Sequence, residues 1–162
     1  MTLPPAHDHT HVVHNGKRDL AIDDLALMQP GMDRLMAEVG TRTHRLYYAA
    51  QARNWRLAEY FYRSIVKQLR LCASSRPKYA EEMERYLAAD CIPVRDAIKS
   101  GDSGAFESAY ANLIDRANEL HGVFGKSWIR WVTPATPPEE FDFSAGVGEE
   151  DGQSALRRTA SS

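Results

Sequence analysis

Apolar residues recur through the middle of the chain at steps of three and four, the spacing of amphipathic helices. The first seam is Met32, Met36, Val39, Thr43, Leu46 and Ala50, and its pattern runs to about Arg53. Pro30 suits the first turn of that helix. Asn54 stands where an N-cap belongs, ahead of "WRLAEYFYRSIVKQLRLC", whose seam is Leu57, Ala58, Phe61, Ile65, Gln68 and Cys72. "SSRPK" breaks this second helix at Pro77. Two shorter segments come next: the acidic "YAEEMERYLAAD", then "IPVRDAIKSGD", with Pro93 near its start and Gly101 at its stop. A last long helix is expected from about Ser103. Its seam of Phe106, Tyr110, Leu113, Ala117, Leu120 and Phe124 follows a heptad pattern, and Gly125 suits its C-cap.

Long amphipathic segments with short connections predict an all-α fold, an antiparallel four-helix bundle in which the two short helices jointly form one member. The helical domain with its C-terminal strap is expected over residues 20–138. "KSWIRWVTPATPPEEFDF" reads as that strap, stiffened by proline. Residues 139–162 read as a mostly disordered tail, on the composition of the chain from "SAGVGEEDGQ" onward. Residues 1–19 read as a flexible arm carrying His7, His9, His11 and His14. Alternating histidines on an extended strand would face one way and could hold a transition metal. Further ligands from later strands would be needed, and no alternating pattern supplies them, so no metal site is assigned.

Composition narrows the function. A formal net charge of −2 gives no global field for nucleic acid or membrane. The basic stripe Arg56, Arg63, Lys67 and Arg70 lies opposite its helix's apolar seam and reads as a solvated face. No run reaches the length of a membrane span, and the N-terminus lacks the basic and apolar regions of an export signal. Cys72 and Cys91 have no metal-ligand spacing, so a reducing cytoplasm is the expected location. A homodimer is the default assembly.

Two histidines are candidates for chemistry. His121 lies roughly 60° from its helix's seam centre and can turn inward at the bundle's edge. There it could ligate iron or move protons near neutral pH, or simply cap a helix C-terminus. His44 lies roughly 120° from its seam, and reaches a pocket only if another element covers that flank. Tyr47, three residues on, makes either a proton relay with His44 or a surface pair. Arg42 and Arg45 line the first long helix, and an arginine turned into a pocket matches a carboxylate with its planar fork. Trp55 and Tyr60 belong to an aromatic-rich stretch that would suit a flat ligand. No Gly-rich phosphate loop, di-iron Glu-x-x-His spacing or nucleophile elbow occurs.

"LMAEVGTRTHRLYYAAQARNWRLAEY" resembles a bacterial cytochrome c-like helical family whose members read "RHxKLWxAGxxxNWxLAxYE" in this region. The matching positions are His44, Leu46, Tyr47, Ala49, Asn54, Trp55, Leu57, Ala58 and Tyr60. "AFESAYANLIDRANELHGVFG" is similar to the family's second motif, keeping Asn118 and His121. The resemblance spans roughly residues 30 to 138 and implies a cytochrome c′-like bundle. It departs where it matters most. Ala117 and Leu120 replace the haem-attaching cysteines, which excludes covalent haem c, and Phe61 replaces a glutamate. Ala117 also leaves space beside His121.

Three readings stay open. In the first, a cofactor-free enzyme of lyase type acts on a small carboxylated aromatic compound. His121, His44 and Tyr47 would be catalytic, and Arg42, Arg45, Trp55, Tyr60 and Ala117 would bind substrate. The hydroxylaminobenzoate lyases of nitroaromatic degradation are similar in size and cofactor economy. In the second, haem b binds non-covalently through His121 for gas sensing or electron transfer. In the third, the chain is a scaffold or partner-binding subunit.

Overall fold

The structure is a computed structural model and describes residues 12–148. The chain is mostly helical, with one small antiparallel sheet. The sheet pairs β1 (Val12–His14) with β2 (Asp19–Ala21), setting Val13 opposite Leu20 and His14 opposite Asp19. It replaces the last part of the arm expected over 1–19. The cause is "NG": Gly16 takes a left-handed φ of 89°, and the Asn15 side chain accepts from the Lys17 and Arg18 N–H groups at 3.0 Å. Leu20 is buried and anchors the hairpin. His7, His9 and His11 lie outside the described residues, and His14 pairs with Asp19 at 2.9 Å.

A short helix, α1 (Ile22–Leu27), leads to α2 (Met32–Gln51). Gly31 is the N-cap of α2, so Pro30 stands one residue outside the helix rather than in its first turn. Arg53 then takes a left-handed φ of 55° and lets the chain reverse, and the Asn54 side chain caps α3 (Trp55–Ser75) by accepting from Leu57 N–H at 3.1 Å. Three connecting residues between two packed helices of this length force them antiparallel. A 3₁₀ turn (Pro77–Tyr79), α4 (Ala80–Ala89) and α5 (Cys91–Ser100) bring the chain back along α3. Gly101, with φ 67°, stops α5, and Asp102 caps α6 (Ser103–Val123).

The core lies where α2, α3, α5 and α6 face one another. Leu46, Ala49, Ala58, Val94 and Phe106 are essentially solvent-free there. The α3 seam runs through Leu69 rather than Gln68, because Phe61, Ile65 and Leu69 follow successive steps of four, which keep one helix face as steps of three do. Along α6 the seam is buried as far as Ile114, and Ala117, Leu120 and Phe124 are only half-buried. No helix among the described residues is long and apolar enough to cross a membrane.

Candidate functional site

After α6 the chain cannot resume a helix. Gly125 turns it with φ 67°, and the prolines at 134, 137 and 138 supply no N–H groups. The backbone groups of such a segment need partners from elsewhere. Side chains of α6, α2 and the α2–α3 turn supply them. Asn118 grips the Trp131 backbone at both ends, donating to its carbonyl at 2.9 Å and accepting from its N–H at 2.7 Å. Tyr48 donates its hydroxyl to the Pro134 carbonyl at 3.1 Å. Asn54 donates to the carbonyls of Phe143 at 3.1 Å and Ala145 at 2.9 Å. The strap therefore runs from the end of α6 along α2 to the α2–α3 turn. Its docking continues through Ala145, past the boundary expected at 138, since Phe143 is buried in the core and Phe141 packs against it.

Both candidate histidines take part. His44 Nε2 lies 3.0 Å from the Thr136 carbonyl, and His121 Nδ1 lies 3.0 Å from the Ile129 carbonyl. A carbonyl only accepts, so each of these ring nitrogens carries a hydrogen. His44 is thereby left with Nδ1, and His121 with Nε2, as the nitrogen free to exchange a proton or bind a metal. The strap covers the flank of His44 through that Thr136 contact. The two histidines hold the strap at different places, and no hydrogen bond or ring contact joins them among the described residues.

No hydrogen bond or ring contact joins His44 and Tyr47 among the described residues. His44 instead sets its ring 5.6 Å from Tyr48, one helical turn on, while Tyr47 packs 5.0 Å from Tyr110. Tyr48 is the site residue that sequence reasoning misses. Its i+4 spacing from His44 is the available signal. Burial, with Tyr47 beside it, holds the Tyr48 phenol above its ordinary value, so it stays a donor to Pro134.

Arg45 sits one residue from His44 and reaches the far end of the strap. Its Nη2 donates to Glu140 Oε1 at 3.1 Å, and its guanidinium carbon lies 5.4 Å from the Phe141 ring centre. Its Nε is buried and has no hydrogen-bond partner among the described residues. A backbone N–H of its own and Arg45 hold the Glu140 carboxyl below the usual range. Arg42, by contrast, is turned back on its own helix and paired with Glu38.

The remaining expected site residues lie elsewhere. Trp55 packs 6.3 Å from Phe106, beside Gly101, at the α3 N-terminus. Tyr60 is 65% exposed and touches Phe61 from outside. Ala117 is half-buried in the α6 turn that carries Asn118. Arg56, Arg63, Lys67 and Arg70 are exposed, as a solvated stripe should be. A cleft of about 160 Å³ lies between α3 and α5, lined by Tyr62, Arg63, Arg95 and Lys99 among others, and burial raises the Tyr62 phenol to about 12.

Haem c does not fit this site, since neither Ala117 nor Leu120 offers a thiol. Among the described residues no three of His, Cys, Asp and Glu converge as metal ligands. Comparison with protein families, with curated proteins and with solved structures finds no match.

Gly40 shows how closely the strap seats. A Cβ built on it would meet the Trp131 ring at 1.7 Å, with two more ring atoms at 2.6 Å. Gly40→Ala should therefore lift Trp131 and lower stability by up to about 2 kcal/mol, the overpacking cost of about 1–3 kcal/mol less the helix-propensity gain of about 1 kcal/mol. Thermal unfolding followed by tryptophan fluorescence reads both effects. An unchanged midpoint with unchanged emission would mean that Trp131 is not held there.

Proposed function

We propose that this chain is a cofactor-free enzyme of lyase type acting on a small carboxylated aromatic compound beneath the strap, on the His44 face of α2. The observation that carries the reading is a juxtaposition. His44, its tautomer fixed by the Thr136 carbonyl, stands one residue from Arg45 and beside aromatic rings from α2 and the strap. An imidazole with a free Nδ1 can take and return a proton, and a guanidinium can hold a carboxylate. A hydroxylaminobenzoate plus one water has the atoms of a dihydroxybenzoate plus ammonia, with no net oxidation. Proton transfer is then the only service the protein must provide. In this reading His44 is the acid/base group, and His121 and Tyr48 position the strap. The bundle is an antiparallel four-helix one of cytochrome c′ type, formed by α2, α3, the α4–α5 pair and α6. The two buried free thiols, Cys72 and Cys91, suit a reducing cytoplasm. A homodimer is the assembly we assign.

The test is ammonia release from hydroxylaminobenzoates by the purified chain in chelator-treated buffer. Turnover supports the reading, and its absence across hydroxylamino-, amino- and hydroxybenzoates contradicts it. A second reading, a partner-binding subunit, is favoured by the exposure of Val123, Trp128 and Val132 where α6 passes into the strap. Under that reading no benzoate turns over and a stable complex is recovered from extract. A Soret band on adding haem, lost in His121→Ala, would replace both with haem b binding.

A further inference from the structure

A guanidinium binds a carboxylate side-on through Nε–H and the Nη–H on the same edge. On Arg45 that edge is half used. Glu140 takes Nη2 with one oxygen at 3.1 Å, while Nε is buried and has no partner among the described residues. The residue after Glu140 is Phe141, whose ring lies 5.4 Å from the same guanidinium and 5.4 Å from Phe61. Glu140 and Phe141 thus present to Arg45 a carboxylate and an aromatic ring, the two recognition features of an aromatic acid.

We infer that Arg45 is the carboxylate anchor of the site and that the Glu140–Phe141 pair of the strap is its built-in competitor, displaced when an aromatic carboxylate binds. This role rests on the proposed lyase site and specifies how that site takes its substrate. The incoming carboxylate takes Nε and Nη2 together, completing the edge that Glu140 fills on one side only. Its ring takes the place of Phe141 against Phe61 and Phe143. Glu140 is suited to leave, because its side chain is 65% exposed and returns to water readily. The groups that bind the strap on either side of it, Tyr48 and Asn54, are uncharged and hold backbone carbonyls, so the strap stays tethered while its acidic step lifts.

Benzoate is the probe, titrated by calorimetry into the full chain and three variants, each checked for helicity by circular dichroism. Glu140→Ala removes the competitor and is expected to tighten binding about fivefold, the upper worth of an exposed ion pair. Arg45→Gln is expected to abolish binding. Arg45→Lys keeps the charge and the stem but not the planar edge, and should weaken binding at least about tenfold. Unchanged affinity in Glu140→Ala, with loss in Arg45→Gln, overturns the built-in competitor while leaving the proposed function standing. Unchanged affinity in both arginine variants overturns the anchor. Benzoate binding to none of the four proteins overturns both this inference and the proposed substrate class.

Discussion

On the proposed lyase reading, His44→Gln should lower kcat for a benzoate substrate by about 10²- to 10⁴-fold, the usual worth of a positioned acid/base group. Glutamine is the informative replacement. Its amide can donate to the Thr136 carbonyl from nearly the position of the imidazole Nε2, so the strap keeps that anchor. It cannot cycle a proton near neutral pH. Stability should stay within about 0.5 kcal/mol of the parent, as for a surface substitution that keeps its hydrogen bond. If His44 only fastens the strap, His44→Gln preserves kcat and His44→Ala lowers stability. His121 makes the converse case: its Nδ1 holds the Ile129 carbonyl near the start of the strap, on another helix. Replacing it is expected to act on substrate affinity through strap docking more than on kcat.

Asn54→Ala should be the most destabilising single change at the site, at about 3 kcal/mol. The side chain is buried and makes three hydrogen bonds: Oδ1 caps α3, and Nδ2 uses both of its protons on two strap carbonyls. Loss of the cap costs about 1 kcal/mol, and a buried carbonyl left without a donor costs about 1–3 kcal/mol. A fall in the midpoint of roughly 10 °C is expected for a domain of this size. Asn54→Asp separates the two roles. Aspartate caps α3 as well as asparagine does, but turns lone pairs towards the Phe143 and Ala145 carbonyls. Hydrogen exchange should then show α3 unchanged and residues 139–146 less protected. Equal loss of protection in both would mean that the cap and the strap are not separable.

Helices, caps and stops are legible because their causes are local. The three-four seams, Asn54 before Trp55, and Gly101 and Gly125 at left-handed positions are all written within a few residues of the features they control. The hairpin is legible too, in the "NG" between "VVH" and "RDLA", but the cluster of histidines around it suggests a flexible arm instead. The strap itself is legible in "KSWIRWVTPATPPEEFDF", but where it docks is not. Arg45 meets Glu140 and Asn54 meets Phe143 across about ninety residues of chain, and no periodicity reports such pairs. Phe141 and Phe143 stand among acidic and proline residues, so local composition hides their packing. For the site, residue types can be read from the sequence and their partners cannot. His44 and Arg45 do face an element that covers them, but it is the chain's own strap, and the ring beside His44 belongs to Tyr48 rather than Tyr47. A helical neighbour at i+3 and one at i+4 are near-equivalent in sequence, and the strap's carbonyls decide between them.

Binding of ligand under the strap, on the His44 face of α2, is tested most directly by a nitrogen-15 NMR titration with benzoate that follows the histidine ring and arginine Nε signals. His44 and Arg45 are expected to shift together and saturate at one affinity, with Arg63 and Arg95 in the α3–α5 cleft unmoved. Shifts confined to Arg63 and Arg95, or none at any of these side chains, would contradict a site beneath the strap.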